Sequence, residues 1–192
     1  IYIITFSSFL FSVDNRLVTN QINPHISLVI HESLINDFFI NMGDVSGENS
    51  NSIIDYKWSL LNPRIEIFKD EALFFAEINV KNDLFSITRD VEGSVKVIYD
   101  EEKNLIIVSV DKADVILDVE LFGKNLLLGE IDIAKYFSKS FTYEGIKPFD
   151  SEIDFTLPNA KKKKIKVKTK QYELLLLENM IKLNAEFIFD QK

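Results

Sequence analysis

The chain predicts a β-dominated α+β fold, in which a long, strongly curved antiparallel meander sheet wraps around one short-to-medium helix as a half-barrel or barrel-like roll. Three observations predict it. Apolar and polar residues alternate with period two over several segments, helical spacing is confined to short stretches, and 16 Phe stand against 6 Gly and 4 Pro. Period-two alternation places one face of a strand in a core and the other in water. Phe favours strands, and few breakers leave room for long elements.

Taken in order, residues 1–13 (IYIITFSSFLFSV) are apolar with Ser at 7, 8 and 12. They read either as the remnant of a signal peptide, which implies a periplasmic or otherwise exported protein, or as a first strand. A helix of this length is too short for a bilayer, which needs ~20 apolar residues. Residues 14–192 read as a single β-rich domain, since 192 residues lie within the range of one core and no linker or repeat divides them.

A strand is expected at 26–31, then a helix at 33–42, where Leu34, Ile35, Phe38, Phe39 and Met42 recur at three- and four-residue spacing. Ser33 is the expected cap and Gly43 the expected terminator. Residues 43–52 (GDVSGENSNS) read as a mobile loop. Strands follow at 54–61 and 64–68. Ala72, Phe74, Ala76, Ile78 and Val80 then alternate against polar neighbours, with further strands at 93–99 and 105–110. Ala113, Val115, Leu117, Val119 and Leu121 alternate next, followed by one helical turn at 132–137. The last strands are Ile153-Phe155-Leu157, 164–168, 172–177 and the run Ile181, Leu183, Ala185, Phe187, Phe189. Lys69-Asp70-Glu71, 100–104 and Glu178-Asn179 fit hairpin turns, so the strands should follow one another as a meander.

Geometry constrains how such a sheet hides its apolar face. Eight strands of ~10 residues, rising ~3.4 Å per residue and ~4.8 Å apart, present roughly 1,300 Å². A ten-residue helix covers only about 150 Å² of that. The sheet must therefore curl on itself, pack as two halves, or close toward a barrel. An apolar groove between sheet and helix would be lined by Phe38, Phe39, Phe74, Ile78, Leu117, Leu121, Phe155, Phe187 and Phe189. A filled core is the plainer reading of the same residues.

Signals for catalysis are weak, and a non-enzymatic role without cofactor is expected. The two histidines, His25 and His31, lack the i, i+4 spacing of a helical zinc pair and have no evident third ligand. There is no Cys, and hence no disulfide or thiolate site. No G-x-S-x-G elbow, phosphate loop or paired catalytic carboxylates can be recognised. A net charge of −8 argues against nucleic acid as a partner.

One charge feature stands out. Residues 161–170 read KKKKIKVKTK. Lys161, Lys162, Lys163, Lys164, Lys166 and Lys168 are candidates for contact with anionic headgroups, a membrane surface or an acidic envelope partner. Alternatively, they protect an exposed edge strand from aggregation.

The order of elements also resembles a known family. A first strand, a helix opening Glu32-Ser33-Leu34-Ile35-Asn36-Asp37-Phe38-Phe39, and a long meander ending in an alternating strand are similar to the bacterial branch of the tubular lipid-binding superfamily, which includes periplasmic YceB-like lipoproteins. The resemblance covers about residues 24–190. It implies a curved sheet around a helix with an apolar groove for acyl chains, and binding of a lipid or fatty-acid-like ligand. The rival expectation is a structural or interaction protein of the cell envelope, with a filled core, that docks through its outer strands or residues 161–170.

Overall fold

A computed structural model describes residues 22–49, 54–121, 123–137, 141–147, 150–159 and 162–191. The expectations for residues 1–13 and for Lys161 lie outside them. The described residues are 71% strand and 10% helical, and their antiparallel sheets curl into half-barrels, so the β-dominated α+β class is observed.

The elements run β1 (Ile26–His31), α1 (Glu32–Met42), β2 (Val45–Asn49), β3 (Tyr56–Phe68), β4 (Glu71–Lys81), β5 (Ser86–Asp100), β6 (Leu105–Lys112), β7 (Asp114–Leu121) and β8 (Lys124–Asp132). After a 3-10 turn at Ala134–Phe137 come β9 (Phe141–Glu144), β10 (Asp150–Thr156), β11 (Lys162–Leu177) and β12 (Met180–Gln191). One sheet has the order β1-β12-β11-β10, a second β2-β3-β4-β5-β6-β9, and β7 and β8 form a two-stranded third. The meander is thus real within β2 to β6 and within β10 to β12. It is interrupted where β1 returns to β12 and β9 to β6.

Several differences from the sequence expectation have local causes. Residues 45–49, expected in a mobile loop, form β2, in direct register with β3. Gly47 lies under the Trp58 ring, so closely that a Cβ there would come within 2.7 Å of it. The large apolar side chain of the partner strand covers a glycine whose own sequence reads as loop. The expected strands 54–61 and 64–68 are one strand, β3, with a register shift between Leu61 and Arg64. Asn62 there has φ 52, and Pro63 supplies no N–H to the ladder. β11 likewise merges two expected strands across a shift between Thr169 and Gln171. β8 carries no sequence signal because its Leu triplet does not alternate and Leu128, before Gly129, is the extra residue of a bulge between the Leu117 and Asp118 pairings.

The expected hairpin turns are present. Asp70 (φ 69), Asn104 (φ 55) and Asn179 (φ 60) carry the left-handed backbone that Asn and Asp tolerate. The helix starts one residue before Ser33, with extended His31 at the cap position and no side-chain cap. Gly43 at φ 84 ends it. Glu32 and Asn36, one turn apart, instead turn to β3. The Glu32 carboxylate accepts the Ile67 N–H at 2.7 Å, and the Asn36 amide both accepts from Ile65 N at 2.8 Å and donates to Ile65 O at 2.9 Å. β2 covers β3 only as far as Leu60, so these side chains satisfy edge groups of β3 that no strand among the described residues reaches.

The tip of the β11–β12 hairpin completes this seam. Asn179 donates its N–H to Ile67 O and accepts from Glu32 N, both at 2.9 Å. The two large sheets are therefore stitched at one corner, with α1 between them. Beneath it, one buried cluster takes Ile65, Phe74 and Ile78 from the second sheet, Ile181 and Leu183 from the first, Ile35 and Phe39 from α1, and Val115 and Leu117 from the β7–β8 hairpin.

Candidate apolar binding face

The structure divides the nine groove candidates into two groups. Phe39, Phe74, Ile78 and Leu117 stand together in the central core, each at most 2% exposed. The rings of Phe39, Phe74, Phe137 and Phe141 fill the space between α1 and the sheet, with centroids 5.1 to 5.9 Å apart in the contacting pairs. Phe38 stands at the rim of this core, half-exposed, with its ring edge-on to Phe141 at 4.9 Å. The side chain of Leu121 is outside the described set.

Phe155, Phe187 and Phe189 belong to a different place, the inward face of β10, β11 and β12. Register puts Ile153 opposite Ile165, Val167 opposite Phe189 and Thr169 opposite Phe187, so these residues share one face. The alternation that builds the core at Ile181, Leu183 and Ala185 simply continues along β12. Exposure along that stripe runs 0%, 0% and 0% at those three residues, then 8% at Phe187 and 59% at Phe189. On β10 the same face shows Ile153 at 47% and Phe155 at 36%. An apolar face therefore emerges from beneath its cover. Val167, Ala185 and Phe187 form its buried base, with Ile146, Ile165 and Tyr172 packed around them.

His25 borders this face. It precedes β1 and extends the pairing with β12: its N–H donates to Ala185 O at 2.9 Å, and its Nδ1 accepts the Phe187 N–H at 3.0 Å. The imidazole stacks on Phe187 at 5.9 Å and meets the edge of Phe189 at 6.0 Å. This histidine is occupied in holding a strand edge and two phenylalanines. Among the described residues no group of three or more His, Cys, Asp or Glu could hold a metal ion.

The opposite face of the same three strands explains the lysine run. Glu152 and Asp154 lie opposite Lys166 and Lys164, and Lys166 lies opposite Asp190. Lys164 Nζ is 3.4 Å from Glu152 and 3.7 Å from Asp154, and Lys168 is 3.8 Å from Asp190. Beyond the bulge, Lys170 contacts Glu186 at 2.8 Å, a carboxylate that also accepts from Gln171. The Lys170 hydrogen bond, with help from Gln171 and the positive field around it, holds the Glu186 carboxyl below its ordinary range. Lys164, Lys166 and Lys168 are thus members of a charge ladder with acids on either side. Lys162 and Lys163 lie beyond its last acid, and Lys163 is opposite Phe155, on the apolar face.

Two open depressions of about 490 and 550 Å³ flank β2, β3 and β4. They share Glu48, Lys57 and Lys81 and contain none of the nine apolar candidates. The sequence alone does not single out Ile153, Ile165 or Val167 as members of an apolar site, and it offers His25 only as a weak metal candidate. Their signal was the strand register, which brings alternating residues from three strands side by side. Comparison with protein-family models, curated proteins and solved structures finds no match.

Proposed function

We propose that this chain is a non-catalytic binding protein that holds an apolar ligand, such as an acyl chain, against the open end of the β10–β11–β12 face. The observation that carries this reading is the rise in exposure from Ala185 to Phe189 along one unbroken apolar stripe. Contiguous apolar surface left open on a folded protein is a binding-site signal, whereas scattered apolar residues are not. A ligand laid along the stripe would cover Phe189, Ile153 and Phe155 and rest on a floor already built by Val167 and Phe187. The resemblance to tubular lipid-binding proteins in element order points to the same ligand class.

Native mass spectrometry of the full chain, followed by titration with a fluorescent fatty acid, tests this. The expected result is a bound acyl ligand whose affinity falls at least about tenfold in Phe189→Lys, since burying a Phe side chain is worth ~1.5–3 kcal/mol. A chain that binds no fatty acid, or a Phe189→Lys variant that binds equally well, overturns it.

A second reading has its own observation. Among the described residues β10 pairs only with β11, which leaves its other edge open to a strand from a partner protein. An interaction protein of this kind would lose its partner on Glu152→Pro, because proline blocks an added strand, and would show no fatty-acid binding.

A further inference from the structure

We propose that the last residues of β10 and the first of β11 dock on an anionic lipid bilayer, with Phe155 and Leu157 entering the interface and Lys162 and Lys163 meeting the headgroups. The inference rests on the apolar-ligand reading and names where the ligand is exchanged.

The hairpin changes character at one point. Up to Asp154, each lysine of β11 has acids beside it on β10 or β12, and those charges cancel locally. Between Asp154 and Lys164 the sequence carries no acidic residue at all. Lys162 and Lys163 are exposed and have no carboxylate partner among the described residues. Phe155 and Leu157 follow Ile153 on the apolar side of the alternation, Phe155 at 36% exposure and Leu157 half-buried.

Charge then selects both orientation and occupant. The whole chain carries −8, so an anionic surface repels most of the molecule and attracts only a basic projection. Lysine near such a surface contributes about 1 kcal/mol, which is roughly a fivefold gain in partitioning for each residue. An aromatic ring beside lysine suits the interfacial zone, where one side is apolar and the other wet. A bilayer fits better than an acidic protein because of continuity: Phe155 belongs to the same face as Ile153 and Phe189. An acyl chain leaving the membrane there would meet the proposed ligand face without crossing water.

The test is co-sedimentation of the full chain with vesicles of phosphatidylcholine alone and with about 30% phosphatidylglycerol. Binding is expected only to the anionic vesicles and should weaken when NaCl is raised from about 0.1 to 0.5 M. The double variant Lys162→Glu/Lys163→Glu should lose at least about thirtyfold in vesicle affinity while keeping its circular dichroism, and Lys162→Glu alone, on the face away from the ligand, should lose at least about fivefold while keeping its fatty-acid binding. Phe155→Ser/Leu157→Ser should lower vesicle affinity without removing its salt dependence. Equal binding to both vesicle types, no binding to either, or an unchanged double variant overturns the docking proposal. Absence of fatty-acid binding in the unaltered chain, with vesicle binding present, would instead remove the ligand reading and leave Phe155, Leu157, Lys162 and Lys163 as a membrane contact.

Discussion

Asn36 on the helix behaves toward Ile65 as a short β-strand would, its side-chain amide donating to the Ile65 carbonyl and accepting from the Ile65 N–H at 2.9 and 2.8 Å. Ile65 is fully buried, and β2 does not extend far enough to serve it. A side chain thereby ends the exposed edge of β3 and fixes the helix against the sheet.

Asn36→Ala should cost about 2–4 kcal/mol, because two backbone groups beside the core lose their partners. Asn36→Asp keeps the acceptor and should cost less. Urea unfolding would report this as a lower midpoint at unchanged slope. A midpoint within error of the original would mean that water replaces the amide and the seam is not a source of stability.

Gly145→Ala should disturb the place where β5, β6 and β11 meet. A Cβ at 145 would stand 2.5 Å from Asn104 Oδ1 and 2.7 Å from the Tyr99 ring. Asn104 cannot yield freely, since Oδ1 accepts the Tyr99 hydroxyl at 2.8 Å and its backbone carbonyl accepts Gly145 N. The overpacking should cost about 1–3 kcal/mol. It should also alter the near-ultraviolet signal of Tyr99 and Tyr172, whose rings are 5.0 Å apart.

The same tyrosine makes the fold sensitive to alkali. Burial, then the nearby Tyr172, push the Tyr99 phenol well above its ordinary range. Burial also raises Tyr143. The folded chain therefore holds these protons more tightly than the unfolded chain. Stability should be complete below the ordinary tyrosine value of ~10 and decline as pH rises beyond it. Denaturant midpoints measured from pH 8 to 11 should fall, with a shallower slope in Tyr99→Phe. Identical slopes would place the alkaline loss elsewhere.

At the acid end the sign reverses. Lys170 lowers the Glu186 carboxyl, and the Lys103 hydrogen bonds lower Asp100. Their contribution is present above the unfolded carboxylate range near ~4 and disappears as pH falls through the lower folded values. Both side chains keep part of their surface in solvent, 15% at Glu186 and 22% at Asp100, so screening should keep the effect small. Glu186→Gln should flatten the acid limb of a thermal melt series and leave the pH 7 melting temperature nearly unchanged. A large fall at pH 7 would show that the Glu186 contacts with Lys170 and Gln171 stabilise the fold beyond an ordinary surface pair.

The sequence by itself determined which residues face inward. The alternation in 72–80, 113–119 and 181–189 specified strand faces, and Asp70, Asn104 and Asn179 marked turns, because both properties are local to a few residues of backbone. Gly43 ended the helix for the same reason. What lay beyond the sequence was every feature that depends on a distant partner. β2 pairs with β3 where Trp58 packs on Gly47, and β8 escapes notice because a bulge at Leu128 breaks its period. The lysine run is largely balanced because register sets Glu152, Asp154 and Asp190 beside it. Most important for function, alternation marked Phe74 and Phe189 identically as inward. Only the extent of the covering elements made one of them core, at 0% exposure, and left the other open at 59%. Inward direction is a property of the strand, whereas burial is a property of what the rest of the chain places above it.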